Sequence, residues 1–205
     1  MRPGVAPTAV RGLLCGFVAC VAVAQIAEPE RGPLRHQLSE LVHGNAGWVM
    51  DVGLACWAIA LGLAATTVLA HPARSDRAIA PGVAVLVGVA AIGVVVLALF
   101  PTQTVAGELP RGVARTTSGR LHDLGSGLVT AALAAAAIAS GTAARRADRR
   151  FAMWVAVLLG VAALATVIGL LIGPSVGGVR QRAVVACALA WLWLLVGGVR
   201  RAASP

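Results

Sequence analysis

Apolar residues fall in six long blocks separated by short polar stretches. The blocks run from Leu13 to Ala27, Gly47 to Ala70, Gly82 to Phe100, Leu124 to Thr142, Phe151 to Ile172 and Ala183 to Val199. A hydrocarbon core about 30 Å thick takes roughly 20 apolar residues in a helix. The pattern therefore predicts an all-α fold, a polytopic transmembrane bundle of six spans forming a single integral membrane domain. Gly and Ala recur in every block. Small residues let helices approach closely in lipid, where packing drives association. Gly88 with Gly93, and Gly160 with Ala163 and Ala165, read as packing surfaces rather than ligand sites.

The first block has a second reading. Arg2 and Arg11 precede a short apolar run, and Ala22-Val23-Ala24 resembles the end of a cleavable signal peptide. Phe17-Val18-Ala19-Cys20 loosely resembles a lipoprotein signal. With five further spans behind it, an uncleaved first helix fits better as a member of the bundle.

Composition supports the membrane reading. Charged residues make up 12% of the 205 residues, against about 25% in a soluble domain. The net charge of +9 does not point to nucleic acid: all 17 basic residues are Arg, set in short stretches between apolar blocks, with no basic stripe and no interleaved aromatics. Arg without Lys, with abundant Ala, Gly and Val, suggests a GC-rich bacterial coding sequence. Cys15, Cys20, Cys56 and Cys187 all lie in apolar blocks at spacings that suit neither a metal knuckle nor a redox pair.

Arg placement sets the expected orientation. With the N-terminus inside, ten Arg fall on cytoplasmic segments and seven on outer ones, and the inner loops are much shorter. Arg145, Arg146, Arg149 and Arg150, packed into one turn, are the strongest cue. The expectation is a multi-pass protein of the plasma (inner) membrane with both termini cytoplasmic.

The polar residues are unevenly shared. Six of eight acidic residues (Glu28, Glu30, Glu40, Asp51, Glu108, Asp123) and three of four histidines (His36, His43, His122) fall on the proposed outer side. Loops longer than connection requires tend to carry function. Asp51 lies about one turn inside the second span, where an unpaired carboxylate is costly. Arg120 and Arg180, at the outer edges of the fourth and sixth spans, are its expected partners. Ser39 and Asp51 with these two arginines form a candidate ligand site. His43, His122 and Asp123 form a candidate metal set, since neutral His and carboxylate suit zinc and an open fourth position activates water. Against this, there is no HExxH, no paired His within one span and no CxxC. A GxSxG nucleophile elbow and a Walker-type cradle are also missing. Gly178-Val179-Arg180-Gln181-Arg182 reads as a headgroup anchor ahead of a ligand contact. Ser39/His43 and Ser118/His122 share a spacing of four before a span, which suggests parallel internal repeats.

Four short motifs carry a family resemblance. They are Ser39 with Gly44 and Gly47-Trp48-Val49-Met50-Asp51, then Phe100-Pro101-Thr102, then Gly119-Arg120-Leu121-His122-Asp123, then Gly178 to Arg182. In this order they resemble the DUF998 family of multi-span membrane proteins of bacteria and archaea, over most of the chain. The resemblance implies a six-span bundle and no established activity. The family's proline motif continues with Asp where this chain has Gln103, with Glu108 a possible substitute.

Three function classes follow. The outer polar cluster binds a small solute or a membrane lipid. Alternatively, the protein is a metal-dependent lipid hydrolase, or a non-catalytic scaffold whose outer loops meet a protein partner or a second copy.

Overall fold

The computed structural model describes residues 5–70, 77–145 and 148–202. Arg2, Arg74 and Arg146 lie outside the described residues, as do the side chains of Arg200 and Arg201. Six long helices follow one another: α1 Val5–Ala27, α2 Gly47–Ala70, α3 Ala80–Leu99, α4 Thr117–Ala144, α5 Arg149–Ile172 and α6 Gly177–Ala202. Each holds a stretch long and apolar enough to cross a membrane. Short 3₁₀ helices occupy Leu38–His43 and Pro174–Val176.

Most helices start earlier than the apolar blocks, because polar caps lie ahead of the apolar stretch. Thr116 Oγ1 accepts from Gly119 N at 3.2 Å and starts α4 two turns before the apolar run. Asp148 Oδ1 accepts from Phe151 N at 3.0 Å and starts α5. Both satisfy N–H groups that a helix start leaves open. α3 ends at Leu99 because Pro101 pushes Phe100 out of the helical region. α5 ends at Gly173, whose φ of 89° suits glycine, just before Pro174.

Helices α1 to α4 pack as consecutive neighbours, and α5 pairs with α6. α6 also reaches α1, α2 and α4, which closes the bundle. α1 is part of the packed core through Val10, Leu14, Phe17 and Ala24. The Phe17 ring meets Trp57 of α2 at 5.0 Å. Nearer the start of α1, the Arg11 guanidinium lies 4.7 Å over the ring of Trp193.

Small residues mediate the closest contacts, as expected, but not all those singled out. A Cβ on Gly93 of α3 would lie 2.8 Å from Val129 Cγ2 and 3.0 Å from the Gly125 carbonyl of α4. Gly88 and Gly160 face open space instead. Their helices turn those positions away from neighbouring helices.

Packing is uneven. α2 buries twelve residues, whereas α5 buries only Val155 and Gly169. Both are glycine contacts. Val155 Cγ1 fits the notch at Gly141 of α4, 2.8 Å from where a Cβ would stand. Gly169 lies under the Arg180 stem of α6, with Cδ at 2.5 Å from the same construction.

Candidate functional site

The polar residues gather at one end of the bundle, where residues 28–46 and 100–116 cover the helix ends. This cap centres on Glu40, which is 1% exposed. Its carboxylate accepts from Ala106 N at 2.9 Å and Gly107 N at 2.8 Å. Thr104 Oγ1 donates at 3.3 Å, and His36 Nδ1 lies 2.7 Å away. A carboxylate this buried is tolerable only with such a full set of partners. One side chain thus ties the first cap segment to the second.

Arg182 ties the cap to α6. Its Nη1 donates to the carbonyls of His36 at 2.6 Å, Pro33 at 3.0 Å and Gly178 at 3.3 Å, while Nη2 donates to Gln25 Oε1 of α1. Next to it, Gln181 Oε1 accepts from Leu38 N at 2.5 Å. The open N–H groups of Gly178 and Val179, in the first turn of α6, donate to the Leu34 carbonyl at 3.0 and 3.3 Å. Gly178 is required because a side chain there would meet the Pro33 and His36 carbonyls. Arg182 is therefore a lock between elements rather than a headgroup anchor.

Glu28 closes the third side. It is buried, accepts from Ala46 N at 3.2 Å and lies 3.7 Å from Arg31 Nε. A hydrogen bond shared with the Glu30 carboxyl holds its pKa below the ordinary glutamate value, and the Ala46 and Asn45 N–H groups and the Arg31 charge act the same way, against the opposing effect of burial. Arg31 also donates to the Glu40 backbone carbonyl.

Beside this lock, two histidines flank the Pro101 turn. His43 Nε2 lies 2.7 Å from the Thr102 carbonyl, and His122 Nδ1 lies 2.8 Å from the Phe100 carbonyl. A carbonyl can only accept, so these nitrogens are the donors. His122 is buried and His43 exposed. Ser118 Oγ donates to the Pro101 carbonyl at 3.4 Å. The two Ser/His segments thus meet one turn, although Ser39/His43 lies on a 3₁₀ helix and Ser118/His122 within α4.

The remaining candidates lie apart. Asp123 is exposed and paired with Arg115. Among the described residues no group of three His, Cys, Asp or Glu is placed to hold a metal. Asp51 and Arg120 are exposed, and Asp51 pairs with neither Arg120 nor Arg180 among the described residues. Asp51, about one turn into α2, faces away from the bundle. The Ser39 hydroxyl is buried with no hydrogen-bond partner among the described residues. Gln103 Oε1 accepts from Thr116 N at 2.7 Å, at the start of α4. That acceptor role is one an Asp can also fill.

Within the spans, a cavity of about 280 Å³ lies between α4, α5 and α6, with Trp57 of α2 at its back. Leu133, Ala134, Leu159, Ala163, Val184 and Ala188 line it. The hydroxyls of Thr130 and Thr166 bond back to Ser126 and Ala162 carbonyls at 2.9 and 2.8 Å. Trp191 Nε1 donates to Ser140 Oγ at 3.2 Å. Thr130, Ala163 and Thr166 are exposed at its rim, so the crevice reaches the lipid-facing surface.

Sequence reasoning counted Glu28 and Glu40 only among the outer acids, placed Gln181 only within the Gly178 to Arg182 motif, and read that motif, Arg182 included, as an anchor. One signal was available: Glu40 is a lone charge between Leu38 and Leu41, where an exposed acid has no need of apolar neighbours.

Fold and site together define a multi-pass α-helical membrane protein with a polar cap on one end. The chain belongs to the family described as Protein of unknown function (DUF998), whose model matches residues 14–198. No curated protein and no solved structure matches it.

Proposed function

We propose that this protein binds a membrane amphiphile, holding its hydrocarbon chain in the crevice between α4, α5 and α6. The crevice itself carries this reading: it is lined almost wholly by apolar side chains, opens to the surface at Thr130, Ala163 and Thr166, and has the Thr130, Thr166 and Trp191 donors beside it already engaged. Such a lining gives little polar recognition to a soluble ligand, whereas a hydrocarbon chain fills it without desolvating polar groups. The cap is bonded within itself and serves to hold the helix ends in place.

The test is lipid retention after mild detergent extraction, measured by native mass spectrometry. Ala163→Trp puts a large ring at the rim. Val161→Trp adds the same bulk to α5 at an exposed position that does not line the crevice. Retained lipid is expected to fall in the first variant and persist in the second. Equal retention in both refutes the reading.

The Arg distribution supports an extracytoplasmic cap and cytoplasmic termini in the plasma membrane. Labelling of Arg35→Cys by an impermeant maleimide in intact cells supports it, and labelling only after lysis reverses it. The lipid hydrolase alternative needs Asp123 to leave Arg115 and join His43 and His122. Stoichiometric zinc in the purified protein, lost in His122→Ala, would favour that alternative.

A further inference from the structure

The crevice has a charged end. On α6, Val184, Ala188 and Trp191 line it. Arg180 lies one turn before Val184 on the same face, continuing a row of positions four, four and three residues apart. On α5, Leu158, Ala162 and Thr166 line the facing wall, and Gly169 continues that row. The two rows converge where the Arg180 stem crosses Gly169, with Cγ at 3.0 Å and Cβ at 3.1 Å from a Cβ placed on that glycine. The Arg180 stem therefore lies at the cap end of the crevice, about one turn beyond the residues that line it.

Its bonding differs from that of its neighbour. Arg182 spends its donors on three backbone carbonyls and Gln25. Arg180 is half-buried and, among the described residues, makes no ion pair and no side-chain hydrogen bond. The Arg182 lock and the Leu34 carbonyl fix the first turn of α6, so Arg180 is presented from a rigid element. Length agrees as well. The α5 wall from Val155 to Thr166 spans about 16 Å at a rise of about 1.5 Å per residue. One leaflet is about half of a 30 Å hydrocarbon core, or about 15 Å.

We propose that Arg180 is the headgroup site of the crevice, so that the ligand is an anionic lipid with its phosphate or carboxylate on the guanidinium and one acyl chain along α5 and α6. This rests on the lipid-binding reading above. Arginine's planar fork suits a phosphate or carboxylate with two oxygens in reach. An unengaged guanidinium above a hydrocarbon-lined slot matches the two halves of such a molecule.

The experiment uses the full chain in nanodiscs of equal phosphatidylglycerol and phosphatidylcholine, extracted into mild detergent, with the ratio of retained lipids as readout. Wild type is expected to favour the anionic lipid about tenfold, the size of one ordinary charged hydrogen bond. Arg180→Gln keeps the three stem carbons over Gly169 and should retain lipid with no class preference. Arg180→Lys should keep part of the preference, and Arg120→Gln all of it. If Arg180→Gln retains the wild-type preference while Ala163→Trp loses lipid, the headgroup assignment is overturned and the crevice reading stands. If wild type retains no lipid, both fall. Excess glycerol 3-phosphate should not displace the lipid; displacement would assign Arg180 to a soluble anion and overturn the lipid source.

Discussion

Replacing Glu40 by Ala should be the most damaging single change in the cap. The carboxylate is 1% exposed and holds Ala106 N at 2.9 Å and Gly107 N at 2.8 Å, with Thr104 and His36 also in contact. Ala cannot accept any of these bonds. Each buried donor left unpaired costs about 1–3 kcal/mol. Ala106 N and Gly107 N both lose their acceptor, so a loss of about 2–6 kcal/mol is expected. Glu40→Gln keeps one acceptor oxygen and places an amide donor against a backbone N–H, so about half that loss should remain. The assay is the thermal midpoint of the purified protein in one detergent, with size-exclusion profiles as a check on assembly. Midpoints should fall in the order wild type, Glu40→Gln, Glu40→Ala. A Glu40→Ala protein that stays monodisperse with an unchanged midpoint would show that the 100–116 segment is not held by this carboxylate, and the account of the cap would fail.

Gly93→Leu should force α3 from α4, because even a Cβ would lie 2.8 Å from Val129 and 3.0 Å from the Gly125 carbonyl. An overpacking loss of about 1–3 kcal/mol is expected in the same thermal assay, whereas Gly88→Leu, which meets open space, should change little. Acidification should loosen the cap through Glu28. Its folded pKa lies below the ordinary value, so its contribution is fully present above the unfolded pKa and is lost as pH falls through the depressed folded value. The thermal midpoint should drop in that acidic window, and Glu28→Gln should flatten the drop; an identical pH profile in the variant would refute the role.

The six spans were legible because lipid imposes a length and composition that few other contexts do. All six apolar blocks became helices. Their starts were less legible, since Thr116 and Asp148 extend helices with polar residues that a hydropathy pattern excludes. The cap end was found as a gathering of polar residues, but the partners within it were not. Asp51 drew attention because it stands within an apolar block, yet helix phase turns it outward. Glu40 looked like an ordinary loop acid, and what makes it central is the approach of Ala106 and Gly107, 66 and 67 residues away. Contacts of that separation leave no periodic trace. The Gly178 to Arg182 motif lay between the two cases: its position at a span start was readable, while which of its two arginines bonds the cap depends on which face of α6 meets residues 33–36.

The uneven packing of α5 follows from where its small contacts lie. Val155 and Gly169, its two buried residues, are fourteen positions apart, or about 21 Å along the axis. Each is a glycine contact, with Gly141 receiving Val155 and Gly169 receiving the Arg180 stem. α5 is thus pinned to α4 near its start and to α6 near its end, with the crevice between the two contacts. A helix held this way leaves a slot whose length is set by the distance between the pins. Backbone satisfaction does not suffer, because helical hydrogen bonds are internal to the segment. What is lost is dispersion contact along the middle of the helix, and in a bilayer hydrocarbon is at hand to restore it. The same two pins that make α5 a poor core helix therefore make it one wall of the crevice, with the polar cap keeping the other wall, α6, in place.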